Sequence, residues 1–288
     1  MISPSGILKI YRGGVLVIAG PTASGKSAFA ENLAQEIDGV IINSDSLQVY
    51  DALPILTAQP TYDIKKLIPH ELYAYILPSQ KITAAVWKDH AENAIRKTLS
   101  NNKIPIIVGG TGFYIKTLMF GLSPFPEVPS EIRNKVVNFS LDDIQSQLKF
   151  FCPEVLEKYS DPQRLKRALE VFLSSGKSIL FFQDLPPEKS EFDFQKILIQ
   201  PSREILKERA KGRLREMIDS GVIEEVGQYK ENIRIPTIAL GYQEFSDYLD
   251  GLISLENAFE KTLIHTYQYI KRQATWFKNQ MVFDWVLQ

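Results

Sequence analysis

Apolar residues fall in two rhythms along this chain: short continuous runs, and stripes spaced three to four residues apart. Runs of strand length cover 15–19, 40–45, 104–108 and 194–199. Largely apolar stretches of five or six residues suit strands buried on both faces of a parallel sheet. The stripes predict helices. One follows the first run, over 26–36. A second covers 83–99, with Val86, Trp87, Ala91, Ala94 and Ile95 on one face, and a third covers 113–120. The stretch 53–73 is interrupted by prolines and reads as irregular. Strand and helix alternate, so the expected fold is α/β: a P-loop NTPase-like parallel sheet flanked by helices.

The pattern changes where Pro124, Pro126 and Pro129 follow one another within six residues. Residues 130–182 read as helical throughout. Asp161-Pro162 is a helix start, Asp as N-cap and Pro at the first position, and Gly176 is a stop. Pro186-Pro187 then returns the chain to the apolar run at 194–199. The expected organisation is a P-loop α/β core from 1–123 and 192–288, with 124–191 as an all-helical insertion domain. After the last run, Ser202 caps a helix over 202–219, stopped at Gly221. Ile238 to Gly241 precede a short helix, and a long final helix covers 254–279. Leu255, Ala258, Phe259, Thr262, Leu263, Thr266, Ile270, Ala274 and Phe277 form its apolar stripe.

The first run ends in Gly20-Pro21-Thr22-Ala23-Ser24-Gly25-Lys26-Ser27, a complete G-x-x-x-x-G-K-S pattern between a strand and a helix. Its glycines let backbone N–H groups turn inward on a phosphate. Lys26 adds a point charge, Ser27 can hold Mg²⁺, and the helix N-terminus adds its dipole. In open α/β sheets, ligands bind beyond the carboxyl ends of the strands. Three of the runs end in Gly20–Ser27, Asp45-Ser46 and Gly109-Gly110-Thr111. These segments should meet at one rim and set an Asp and a Thr before a phosphate loop. By itself, Asp45 could equally be a turn residue.

Charge and composition narrow the setting. A formal net charge of −1 over 288 residues argues against a general polyanion-binding surface but allows a local basic patch. Gln163, Arg164, Lys166 and Arg167 make such a patch in the first turn after Asp161, where cations oppose the helix dipole. An anionic partner or a solvated charged face would each explain it. Arg209 and Arg213 lie four apart, a spacing suited to an anion clamp or to surface pairing. The single cysteine, Cys152, excludes an internal disulfide and a cysteine metal cluster. His70, His90 and His265 lack metal-ligand spacing. No apolar run approaches the ~20 residues of a membrane span, and 1–14 lacks a signal peptide's apolar core. A cytoplasmic, monomeric protein is expected.

In order along the chain stand Gly20 to Ser27, Asn43-Ser-Asp-Ser-Leu-Gln-Val-Tyr50, Pro69-His70, Val108-Gly-Gly-Thr111, Gly121-Leu-Ser-Pro124, Asp161-Pro-Gln-Arg164, Arg167-Ala-Leu-Glu170, Ser175-Gly-Lys177, Ala239-Leu-Gly-Tyr242 and Lys271-Arg-Gln-Ala-Thr-Trp-Phe277. This series resembles the tRNA dimethylallyltransferase (tRNA isopentenyltransferase) family over nearly the whole chain. The resemblance implies transfer of a dimethylallyl group from dimethylallyl diphosphate to N6 of adenosine 37, beside the tRNA anticodon. It implies Asp45 as general base, with Thr111 bonding the amine or the leaving oxygen. Residues 20–27 would cradle diphosphate with Mg²⁺ on Ser27. Arg213 is preferred to Arg209 as their partner. The final residues of the 104–108 run agree, since they lack the Asp of a Walker B strand. Contacts to tRNA are implied at Asp45, Ser46, Leu47, Gln48, Thr111, Arg133, Gln163, Arg164, Leu165, Lys166 and Arg167. The helical insertion would hold the anticodon stem-loop.

Three positions depart from the family pattern, each by losing a positive charge: Leu47, Gln59 and Tyr267. Two competing readings remain. A small-substrate kinase on the same core would use ATP in the loop, Asp45 as base on a hydroxyl and the insertion as a lid. A non-catalytic RNA-binding protein would keep the fold without turnover.

Overall fold

The computed structural model describes residues 14–288 apart from Arg234 and Pro236. Six strands form one sheet: β1 (Val15–Ala19), β2 (Gly39–Asn43), β3 (His70–Glu71), β4 (Ile104–Gly109), β5 (Phe194–Ile199) and β6 (Trp285–Leu287), in the order β3-β2-β4-β1-β5-β6. Every pairing is parallel. Successive side chains along a strand point to opposite faces, and here both faces are covered. Val15, Val17 and Ala19 of β1 share one core with Trp87, Ile95, Ile115 and Phe277. Leu16 and Ile18 share the other with Ala30 and Leu33. This explains why β1 contains no polar residue.

Helices α1 (Lys26–Ile37), α2 (Tyr62–Leu67), α3 (Ala84–Ser100) and α4 (Gly112–Phe120) belong to the first half of the chain. Thr83 caps α3 by accepting the Val86 N–H at 3.2 Å. Trp87, Ala91, Ala94 and Ile95 are buried as the stripe predicts, but Val86 is exposed. Its place one residue before Trp87 turns it about 100° away from the core-facing line. Helix α2 and the short edge strands β3 and β6 have no counterpart among the predicted elements. They are short, and edge pairing is fixed by the neighbouring strand rather than by the strand's own sequence.

The chain divides into two compact units, one made of residues through Met119 together with Glu191–Gln288, the other of Phe120–Ser190. The second unit contains α5 (Ser130–Val137), α6 (Leu141–Phe151), α7 (Pro153–Lys158), α8 (Pro162–Ser175) and α9 (Ile179–Gln183). Of the four breaks within the helical stretch 130–182, those at Asp161 and Gly176 fall where the sequence placed a helix start and a stop, and those at Ser140 and Pro153 are additional. Ser140, Asp161 and Ser178 each cap a new helix with a side-chain oxygen, and Pro153 cannot continue the helix before it. Asp161 accepts the Arg164 N–H at 3.0 Å, and Gly176 closes α8 in the left-handed region at φ 70°. Ile144, Leu148, Val155, Leu165 and Leu169 form this unit's own core.

Beyond β5 the first unit continues as α10 (Arg203–Asp219), α11 (Val222–Asn232), α12 (Tyr242–Leu249) and α13 (Leu255–Gln280). Ser202 caps α10, and Gly221, at φ 91°, begins α11, an element the apolar pattern does not predict. Leu214, Val226, Phe245 and Ala258 hold these four helices together, with Leu53 and Leu56 of the 53–59 segment packed among them. The stripe on α13 is buried at Ala258, Thr262, Ile270 and Phe277, as expected.

Candidate active site

The loop 20–25 joins β1 to α1 through two left-handed residues, Ala23 at φ 64° and Gly25 at φ 89°. A non-glycine residue there costs about 1 kcal/mol, and such strain concentrates at functional loops. Gly20 is packed too tightly for a side chain, since a Cβ would lie 2.5 Å from the Ile199 carbonyl oxygen. Gly25 gives α1 no side-chain cap. The first N–H groups of α1 are therefore not claimed by a cap and suit an anion. Lys26 reaches back to the Pro21 carbonyl at 3.4 Å.

Asp45 stands just past β2, which ends two residues earlier than expected. Asn43 makes the difference. Its Oδ1 accepts the Asp45 N–H at 2.8 Å, while its Nδ2 donates to the Asp45 and Leu72 carbonyls at 3.1 and 3.0 Å. This local turn competes with the sheet ladder and throws Asp45 off the strand. Trp87 donates its indole N–H to the Asn43 carbonyl at 3.0 Å. Asp45 Oδ1 in turn accepts the Leu47 N–H at 3.0 Å. Thr111 binds this turn from the end of β4: its Oγ1 accepts the Ser46 N–H at 3.0 Å and lies 3.3 Å from Ser46 Oγ.

Thr22, Lys26, Ser27, Asp45 and Arg213 line one cavity of about 920 Å³, counting its open mouth. Strand ends β1 and β2 therefore do converge, as the rim argument requires. Burial lowers the Lys26 ammonium to about 8, with Asp45 raising it and Arg213 lowering it further. Burial likewise lowers Arg213, while Asp45 and Glu216 support its charge. Tyr73 and Tyr269 complete the polar wall. Burial and the nearby Asp45 keep the Tyr73 hydroxyl protonated, and raise Tyr269 to about 12. Leu56, Leu214, Met217 and Leu240 make the remaining wall apolar. One cavity thus offers cations at one side, a carboxylate, and apolar surface.

The two arginines divide their tasks. Arg209 donates to the Ser24 carbonyl at 3.0 Å and braces the loop from behind, whereas Arg213 lines the cavity with Asp45. They do not form the paired clamp that their spacing suggested. Gln48 lines the cavity too, but its Nε2 is committed to the Thr57 and Ala58 carbonyls at 2.8 Å each. Two of the family departures are also internal braces. Gln59 donates to the Tyr50 carbonyl at 2.9 Å, and the Tyr267 hydroxyl to the Lys207 carbonyl at 3.2 Å. Leu47, the third, lines the cavity.

In the helical unit, Arg133, Gln163 and Arg164 are exposed and Lys166 is partly so. Leu165 corrects the expectation for its stretch: it is fully buried in that unit's core, so its side chain cannot meet a ligand. Arg167 of the basic patch has an anionic partner on its own helix, Glu170 at 3.3 Å. Sequence reasoning met Gln273 only within the Lys271–Phe277 stretch and missed its role: its amide bridges Thr22 and Gly110. The available signal was a polar residue at the spacing of the α13 stripe. It also missed Tyr73 and Tyr269, which carry no motif. His70 hydrogen-bonds the Ile68 carbonyl, His90 the Tyr75 hydroxyl and His265 the Glu244 carboxylate. Among the described residues no group of three or more His, Cys, Asp or Glu could hold a metal ion. No described helix is long and apolar enough to cross a membrane.

The comparisons with known proteins agree along nearly the full chain. The family model described as IPP transferase matches residues 48–280. A tRNA dimethylallyltransferase of Bartonella tribocorum is 39% identical over 289 residues, covering 95% of this chain and 98% of that protein. One of Rickettsia canadensis is 37% identical, covering 93% and 86%. Among solved structures, a eukaryotic dimethylallyltransferase acting on tRNA superposes with a TM-score of 0.80 at 29% identity, covering 91% of this chain and 69% of that one. A tRNA isopentenylpyrophosphate transferase of Staphylococcus epidermidis gives 0.66 at 33% identity, covering 94% and 92%. With its parallel sheet, its P-loop sequence pattern and this match through both compact units, the chain belongs to the IPP transferase family.

Proposed function

We propose that this protein transfers the dimethylallyl group of dimethylallyl diphosphate to N6 of adenosine 37 in tRNA. The observation that carries the reading is that Asp45 shares one cavity with Lys26, Ser27 and Arg213. A diphosphate on loop 20–27 would set the prenyl tail toward the apolar wall of Leu214, Met217 and Leu240. The N6 lone pair attacks the first prenyl carbon. The carbon–oxygen bond breaks, and its electron pair leaves with diphosphate. An exocyclic adenine amine is a weak nucleophile because its lone pair is delocalised into the ring. Asp45 takes the N6 proton as the new bond forms. Thr22, Lys26 and Arg213 stabilise the charge that grows on the leaving group.

Thr111 suits the amine better than the leaving oxygen. It lies on the Asp45-Ser46 turn, and one of its lone pairs already accepts the Ser46 N–H. Its other lone pair can accept from N6. Mg²⁺ fits the site: it is bound through few protein oxygens together with waters and substrate phosphates, and the Ser27 hydroxyl beside Lys26 offers one such oxygen. When bound there, it would neutralise diphosphate charge. The target adenine would have to leave its stack, at a cost of a few kcal/mol. Arg133, Gln163, Arg164 and Lys166 supply contacts on the helical unit for the anticodon stem-loop.

The test incubates an anticodon stem-loop containing the target adenosine with protein, Mg²⁺ and dimethylallyl diphosphate. The RNA is then weighed by mass spectrometry. A prenyl-sized gain that collapses in Asp45→Ala supports both reaction and base. A gain that persists keeps the reaction and removes Asp45 as the base. No gain, with phosphate transfer from ATP instead, would make this a kinase.

A further inference from the structure

Gln273 lies on the buried side of α13 between Ile270 and Phe277, and only 5% of its surface is exposed. A polar side chain buried this far needs partners, and Gln273 has one at each end of its amide. Its Oε1 accepts the Thr22 N–H at 2.8 Å, and its Nε2 donates to the Gly110 carbonyl at 2.9 Å. The backbone dictates this orientation, because an N–H can only donate and a carbonyl can only accept. Thr22 belongs to the glycine-rich loop after β1. Gly110 begins the turn after β4 that carries Thr111. Gly110 is fitted to the amide, since a Cβ there would lie 2.3 Å from Nε2.

We infer that Gln273 is a positioning residue for the transfer, fixing the phosphate-binding loop against the turn that holds the acceptor. The inference rests on the proposed prenyl transfer. From Gly110 the connection runs on to the base. The Thr111 N–H donates to the Ser44 carbonyl at 3.3 Å, and Thr111 Oγ1 accepts the Ser46 N–H at 3.0 Å. One amide therefore spans from the loop that would carry the leaving group to the turn that would carry the nucleophile. It meets neither substrate and moves no proton. Direct displacement depends on the separation of the reacting atoms, and an error of about 1 Å can cost roughly 100-fold in rate. Only a carboxamide offers both a donor and an acceptor here. Leucine offers neither, and glutamate offers a donor only when protonated.

The experiment measures kcat and both KM values for wild type, Gln273→Leu, Gln273→Glu, Gly110→Ala, Gln273→Ala and the double variant Gly110→Ala/Gln273→Ala. Gln273→Leu should lower kcat by roughly 10- to 100-fold, with both KM values within about threefold of wild type. The activity of Gln273→Glu, divided by that of wild type, should rise several-fold from about pH 8 to about pH 6, as the buried carboxyl gains the proton that the Gly110 carbonyl requires. Gly110→Ala should also lower kcat, while the double variant should be no worse than Gln273→Ala alone, because the clash disappears with the amide. A Gln273→Leu protein with wild-type kcat overturns the inference. So does a loss confined to KM or to the folded fraction, with no pH response in Gln273→Glu. Wild-type protein that adds no prenyl group overturns the proposed function and this inference together, whereas an active wild type beside an unimpaired Gln273→Leu overturns this inference alone.

Discussion

Lys26 and Asp45 line one cavity, and the carboxylate opposes the burial that brings the lysine down to about 8. The ammonium is charged below that pH and neutral above it, and the proposed hold on diphosphate draws on the charged form. The kcat/KM for the prenyl donor should therefore fall above about pH 8, by roughly tenfold per unit once well past it. The alkaline limb should vanish in Lys26→Met. In Asp45→Asn it should move to lower pH, because the charge that raises Lys26 is gone. A pH–rate profile with an unchanged limb in Lys26→Met would assign it to another group.

Asp45→Asn also separates geometry from chemistry. Asparagine keeps an oxygen for the Leu47 N–H but cannot take a proton at neutral pH. Single-turnover transfer should drop by about 10²- to 10⁴-fold. Donor affinity, measured by calorimetry, should change far less. Equal losses in both would mean that Asp45 serves binding rather than proton transfer.

Trp87 is fully buried, stacks on Tyr114 at 4.6 Å between ring centres, and holds the Asn43 carbonyl. Trp87→Phe retains a ring in the stack and loses the hydrogen bond, so it should cost about 1 kcal/mol in denaturant unfolding. Trp87→Ala should cost about 3–5 kcal/mol. Because Asn43 turns the chain at Asp45, Trp87→Phe should also lower kcat, at a protein concentration and temperature where it is fully folded.

Neighbours on α8 should behave in opposite ways. Arg164→Ala with Lys166→Ala should raise KM for the stem-loop and flatten its salt dependence by about one to two in slope, with donor KM unchanged. Leu165→Ala should instead cost about 2–5 kcal/mol of stability and leave the salt slope alone. Binding titrations at several salt concentrations beside thermal melts distinguish the two.

Much of the fold is legible in the order of residues. The strand-to-helix junction at Gly20–Ser27, the caps at Asp161 and Ser202, and the apolar runs of β1, β4 and β5 all depend on neighbours within a few residues. Asn43 is the exception. Its side chain ends β2 early, an outcome that an apolar run ending Asn-Ser-Asp does not announce. Strand β6, helix α11 and the breaks at Ser140 and Pro153 escape a sequence reading because their boundaries rest on edge pairing or on caps inside a largely helical pattern.

Residue order alone was enough to point to a P-loop pattern on a parallel sheet, with a carboxylate at the end of another strand, one place removed from β1. Those features follow from short-range sterics, capping and the period of apolar residues. Two others waited on the folded chain: that Leu165 belongs to a core, and that Gln273 joins Thr22 to Gly110. Each of these depends on which residue far along the chain arrives opposite, and a pairing across 251 positions, such as Thr22 with Gln273, leaves no periodic trace in either segment.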